Sequence, residues 1–327
     1  MATYKINGGK PLHGEITPVP NKNSILKIIP AALLANGIVT LRNVPMSSDV
    51  RGMLKIIKQL GGEVNYHKDG STVDIDPRGV NTFEIDPELS QKYRASIMFM
   101  GPLLVKFGKA FMPIPGGCKL GTRPLDAFLK NMLPLGAKYV REKGYYLEAE
   151  NLQGTEMTSW FPSVTGTENL LTMATMVPGT TIINNAACEP HTQDLANFLV
   201  SMGANIEGIG SNRIIIHGVE ELQGTEWEII PDHLDIGAYI AGAAMTAGSV
   251  TINNAIPDHM NIMLQVFDKV GVKVEIDGDK IHVPENQELK CQPTVRGDIF
   301  EVFARPWPGL PIDFNQIILV TALKAEG

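Results

Sequence analysis

A period near 70 residues runs through the chain, and it restricts the possible folds more than any other feature. A glycine opening an apolar stretch recurs as Gly37-Ile38-Val39-Thr40-Leu41, Gly108-Lys109-Ala110-Phe111-Met112, Gly179-Thr180-Thr181-Ile182-Ile183 and Gly248-Ser249-Val250-Thr251-Ile252, at spacings of 71, 71 and 69. Further along each period a second glycine ends a helical pattern and hands over to another strand: Gly61, Gly136, Gly203 and Gly271, at spacings of 75, 67 and 68. Glycine in that place fits the left-handed cap that stops a helix before a strand. Each period therefore reads as helix, strand, helix, strand, hairpin and strand, a repeated α/β unit whose copies pack into a shared architecture. No G-x-G-x-x-G follows a strand and opens a helix, so these are not dinucleotide-binding units.

Ile317 to Glu326 resembles the apolar helix that precedes each opening glycine, and Gly327 lies 79 residues after Gly248, where a fifth unit would open. A chain of 327 residues exceeds what one hydrophobic core usually supports. The expectation is two domains, the second ending after its fifth helix and left incomplete, with at most trace activity in the chain as it stands.

Composition narrows the class of ligand. The net charge of −7 lacks the basic field of a nucleic-acid binder, so an anionic ligand has to be met by local lysines and arginines. The first residues carry no apolar leader pattern. The uncharged run from Ile236 to Pro257 is long enough to cross a bilayer, but its glycines and Asn253-Asn254 read better as a helix, a turn and a strand. Cys118, Cys188 and Cys291 are odd in number and widely spaced, which fits reduced thiols in a cytoplasm and no zinc site. Neither a membrane nor an obligate protein partner is indicated.

The chemistry concentrates in Pro115-Gly116-Gly117-Cys118-Lys119-Leu120-Gly121-Thr122-Arg123-Pro124-Leu125-Asp126. Its glycines let a ligand approach the backbone, and Lys119 and Arg123 would stabilise a thiolate and attract an anion. The competing reading is a small buried cysteine in a turn. Lys22, with Asn23, opens a helix where a cation opposes the macrodipole, a poor structural choice that suits a phosphate ligand better. Arg94 precedes an apolar helix and reads either as a surface arginine or as a binding residue. Asp313 follows a Pro-rich loop and enters an apolar helix, where it could be a base or merely an N-cap. Cys188-Glu189-Pro190-His191 reads as a strand-to-helix turn rather than a metal site.

The repeat, Asn21-Lys22-Asn23-Ser24, the Gly116-to-Asp126 loop, Ser163-Val164-Thr165-Gly166-Thr167-Glu168-Asn169 and Arg305-Pro306-Trp307-Pro308-Gly309-Leu310-Pro311-Ile312-Asp313 together resemble the UDP-N-acetylglucosamine 1-carboxyvinyltransferases across the whole chain. The Gly-Gly-Cys loop followed by Arg-Pro sets these apart from the shikimate-type relatives, which lack the cysteine. The resemblance implies βαβαββ units in two inside-out α/β barrel domains, residues 22–229 forming one of three complete units and residues 1–21 with 230–327 the other. It implies transfer of an enolpyruvyl group from phosphoenolpyruvate to the 3′-hydroxyl of UDP-N-acetylglucosamine, with no cofactor and no metal; an inactive nucleotide-sugar-binding fragment and a shikimate-type transferase are the alternatives. By the same resemblance Cys118 is proton donor or transient nucleophile and Asp313 the base. Lys22, Asn23 and Arg123 bind phosphoenolpyruvate. Arg94, Arg123, Pro124, Leu125, Asp126, Ala127, Phe161, Pro162, Ser163, Val164 and Asp313 meet the sugar nucleotide. Met98, Lys119, Thr122 and Phe161-Pro162 depart from the residues usual in the family.

Overall fold

The computed structural model describes residues 3–114, 126–140 and 144–327. The chain forms two compact units, Met1–Val19 with Pro231–Gly327 and Pro20–Ile230.

The 70-residue period is a structural repeat. In Pro20–Ile230, the strand Val39–Arg42 lies between a parallel neighbour, Glu226–Glu228, and an antiparallel one, Val73–Asp76, beyond which comes Glu63–Tyr66. The strand Thr180–Asn184 is placed alike, between parallel Glu156–Thr158 and antiparallel Arg213–His217, with Asn205–Glu207 outermost. Around Lys109–Met112 the antiparallel side has Tyr145–Glu148 and Lys138–Val140, but among the described residues the parallel neighbour shrinks to a single bridge between Glu84 and Phe111. The unit containing the C-terminal third repeats the pattern once: His13–Ile16 runs parallel to Ser249–Ile252, followed by Lys280–Val283 and Glu275–Asp277.

Burial shows which layer is inside. The helix Val164–Ala174 buries nine of its eleven residues and Lys22–Ala31 buries seven of ten. The strands bury alternate residues, as in Thr180–Asn184, where Thr181 and Ile183 are buried. A helix buried on all sides belongs in an interior, whereas a strand with period-two burial belongs at a wall with one face to solvent. Helices therefore fill the core and sheets cover it, and among the described residues no sheet closes on itself.

The helix-ending glycines have a common backbone reason. Gly61, Gly136, Gly203 and Gly271 take φ of 103°, 104°, 106° and 85°. Side-chain-bearing residues pay about 1–2 kcal/mol to adopt the left-handed region that lets the chain leave a helix and start the next strand.

Candidate active site

Asn21 caps the helix Lys22–Ala31, its side-chain oxygen accepting the Ser24 amide at 3.1 Å. Lys22 is the first helical residue, and its ammonium lies 3.6 Å from Asp49 in the first turn of the helix Ser48–Gln59. Both side chains are about half-exposed. An exposed pair of this kind contributes ~0–1 kcal/mol, so it leaves the lysine available to an anion.

Beneath that surface lies a charge network. Lys27 Nζ stands 3.5 Å from Glu168 Oε2, with side chains 11% and 0% exposed. Glu168 Oε1 accepts the Thr192 hydroxyl at 3.2 Å, and His191 Nε2 is 3.7 Å away. Burial pushes the Glu168 carboxyl up to about 7; the attraction of Lys27 offsets only part of this, and Glu189 adds to the rise. Asp194 accepts from the Ser24 hydroxyl and, at 3.2 Å, from the Trp227 indole. Its carboxyl rises to about 6, burial outweighing those hydrogen bonds and one from the Ile230 amide. These groups bind the helix Lys22–Ala31 to Val164–Ala174 and Pro190–Ser201.

In the sequence Glu168 and Ser24 stand only within longer motifs, and nothing marks Asp194. A partial signal for the first was present: Lys27 interrupts the apolar run Ile25-Leu26-Lys27-Ile28-Ile29, Glu168 is the single charge between Val164 and Ala174, and a charge in a buried helix requires a partner.

The other expected residues are placed unevenly. Arg94 opens the 3-10 turn Arg94–Phe99, which packs against the helix Lys22–Ala31. Met98 is buried, and its carbonyl accepts from Asn169 Nδ2 at 3.0 Å. Ser163 caps Val164–Ala174 by accepting the Gly166 amide at 3.2 Å; Phe161 and Pro162 precede it, Phe161 half-exposed. Asp126 and Ala127 begin the helix Asp126–Lys130. Cys118, Lys119, Thr122, Arg123, Pro124 and Leu125 lie outside the described residues. In the other unit, Asp313 is the middle residue of the turn Ile312–Phe314, ahead of the helix Asn315–Ala322. It is exposed, and no side chain caps either element, so the capping role is not the one it fills.

Cys188 is buried at the turn before Pro190–Ser201. Burial first and the Glu189 charge second push its thiol up, which disfavours the nucleophilic thiolate.

Comparison with known proteins decides the family. Residues 6–326 match the family model described as EPSP synthase (3-phosphoshikimate 1-carboxyvinyltransferase). The UDP-N-acetylglucosamine 1-carboxyvinyltransferase of Borrelia garinii subsp. bavariensis is 40% identical over 328 residues, spanning 100% of this chain and 76% of that protein. The chain belongs to the UDP-N-acetylglucosamine 1-carboxyvinyltransferases, within the EPSP synthase family. The Bradyrhizobium diazoefficiens protein of the same name is 40% identical over 324 residues, 99% of this chain and 75% of its own length. The fold is shared more widely. The enolpyruvyl transferase NikO from Streptomyces tendae superposes with a TM-score of 0.84 over 98% of this chain and 75% of its own, at 20% identity. EPSP synthase from Acinetobacter baumannii superposes with 0.70 over 88% and 67%, at 19% identity.

Proposed function

We propose that this protein transfers the enolpyruvyl group of phosphoenolpyruvate to the 3′-hydroxyl of UDP-N-acetylglucosamine and releases phosphate. The observation that carries this is the 40% identity, over the whole chain, to transferases named for that acceptor. The reaction is the committed step toward peptidoglycan, linking the protein to cell-wall synthesis, cell shape and division in the cytoplasm. In this reading residues 22–229 form a three-unit domain and 1–21 with 230–327 belong to the second.

The chemistry divides into an addition and an elimination. In the addition the 3′-oxygen bonds to C2 of phosphoenolpyruvate, its proton passes to a base, and C3 takes a proton from an acid. In the elimination C3 returns a proton, the C2–O bond to phosphate breaks, and the vinyl ether forms. Asp313 serves as the base, supported by an exposed carboxylate that caps neither the turn nor the helix around it. Cys118 serves as the acid or as a transient nucleophile at C2. Lys22, Asn23 and Arg123 hold the phosphate and carboxylate. Arg94, Arg123 to Ala127 and Phe161 to Val164 hold the sugar nucleotide, with arginine suited to the diphosphate by its planar fork. Neither a metal nor an organic cofactor enters these steps.

A cysteine placed to meet phosphoenolpyruvate is open to an epoxide phosphonate such as fosfomycin, in which the thiolate sulfur opens the epoxide and leaves a covalent thioether. Mass spectrometry of protein incubated with UDP-N-acetylglucosamine and fosfomycin is expected to find the adduct on Cys118. Modification confined to Cys188 or Cys291 would contradict the assignment, and the raised pKa of buried Cys188 argues against it.

A further inference from the structure

The carboxylate proposed as the base is one residue from a fully buried aromatic ring, and that ring occupies a space that only glycine leaves open. Phe314 follows Asp313 in the turn Ile312–Phe314 and is 0% exposed. It meets Phe267 edge-on, with centroids 5.1 Å apart and planes at 82°. It also meets Gly237 in the helix His233–Met245: a Cβ at position 237 would lie 2.5 Å from Phe314 Cε2 and 3.3 Å from Cδ2. The first distance is far inside van der Waals contact, and the atom met is on a ring held by Phe267, with no flexible end to swing away.

The same face of the helix supports the start of the loop. Trp307 packs against His233, with ring centroids 6.2 Å apart and planes at 63°. His233 and Gly237 are four residues apart and so stand one above the other on the helix. Around Trp307 the loop is closed by its own hydrogen bonds, from the Gly309 amide to the Pro306 carbonyl and from the Arg305 amide to the Leu310 carbonyl, each 2.9 Å. Both ends of the segment that carries Asp313 are therefore seated on one helical face.

We propose that Gly237 is a positioning residue for the transfer reaction: by receiving the edge of Phe314 it fixes the turn Ile312–Phe314 and aims the Asp313 carboxylate at the acceptor hydroxyl. The inference rests on the reading of Asp313 as the base. Gly242 shows that the helix has no general need for glycine, since a Cβ there would meet only Leu12, at an ordinary 3.4 Å.

Steady-state kinetics on a short series of variants tests this. Gly237→Ala is expected to lower kcat by on the order of 10²-fold, the cost of misplacing a catalytic group by about 1 Å, with KM for both substrates within about twofold. Gly242→Ala, the same change five residues along the helix, leaves kcat and KM unaltered. Phe314→Leu takes the ring out without adding volume; it also lowers kcat, and it provides the reading if Gly237→Ala does not fold. Combining Gly237→Ala with Phe314→Leu restores part of the lost turnover, because the smaller side chain makes room for the new methyl. In an Asp313→Asn background neither substitution lowers kcat further, since the carboxylate they displace is already gone. An equal fold loss in the two backgrounds, a loss that falls on KM, or wild-type turnover of Gly237→Ala overturns the positioning role while leaving Asp313 as base. Wild-type turnover of Asp313→Asn alone overturns the base reading, and this proposal with it.

Discussion

Asp313 and Glu168 show how differently two carboxylates are used. Asp313 is exposed and spends nothing on capping, so its removal is expected to cost rate more than stability. Asp313→Asn should lower kcat by ~10²–10⁴, the range of general acid–base assistance, with a smaller change in sugar-nucleotide affinity. A variant that binds poorly but turns over normally would show that Asp313 only holds the acceptor. Glu168 is buried against Lys27, and removing it strands a cation. Glu168→Ala should therefore destabilise by about 3–5 kcal/mol, read from denaturant midpoints, and a loss below 1 kcal/mol would show that Lys27 finds water. The Lys27–Glu168 pair was half legible, because Lys27 is flanked by apolar residues on both sides and Glu168 is the single charge of its helix. The bond from Ser24 to Asp194 was not, since it joins residues 170 apart whose meeting depends on how three helices pack.

At the scale of elements the repeat was the most legible feature, because helix-ending glycines answer to local backbone geometry. Gly203 and Gly61 separate the two costs of replacing one. A Cβ at Gly203 meets nothing within 4 Å, whereas at Gly61 it would sit 2.6 Å from the Gly79 carbonyl oxygen. Gly203→Ala should thus cost only the left-handed backbone term, about 1–2 kcal/mol, and Gly61→Ala clearly more. Equal destabilisation of the two, by thermal or chemical melting, would show that the close approach to Gly79 relaxes freely. The sequence did not reveal that the parallel neighbour of Lys109–Met112 contracts to one bridge at Glu84. Thr82-Phe83-Glu84-Ile85-Asp86 alternates as a strand should, but Asp86 caps the helix Pro87–Lys92 by accepting the Glu88 and Leu89 amides, so the run turns into a helix before a longer ladder forms. Nor did it mark Gly237 as special, because a glycine inside a helix looks the same in sequence whether it meets a ring or open space.

For the whole molecule, burial of titratable groups tilts the two units in opposite directions with pH. In Pro20–Ile230, Glu168 at about 7 and Asp194 at about 6 stand above their ordinary values of 4.5 and 3.8. Folding favours their protonated forms, so this stabilisation is full below the unfolded values and is lost as pH rises through 6 to 7. In the other unit, burial and the neighbouring His259 hold His233 down at about 4, against 6.5 unfolded. Its neutral form is favoured, so that stability is present above 6.5 and lost as pH falls toward 4. Hydrogen exchange, corrected for intrinsic rates, should show the helix Val164–Ala174 gaining protection relative to His233–Met245 as pH goes from 8 to 5. A ratio that stays constant would contradict these assignments. The family was legible at this scale because its motifs are dispersed through the chain, and the acceptor hydroxyl is the point on which the functional account turns. Incubation with phosphoenolpyruvate and either UDP-N-acetylglucosamine or shikimate 3-phosphate, with products detected by mass spectrometry sensitive enough for trace turnover, tests it directly. The account predicts an enolpyruvyl ether of the sugar nucleotide together with released phosphate, and no product from shikimate 3-phosphate; an enolpyruvyl shikimate product, or no product from either acceptor, would contradict it.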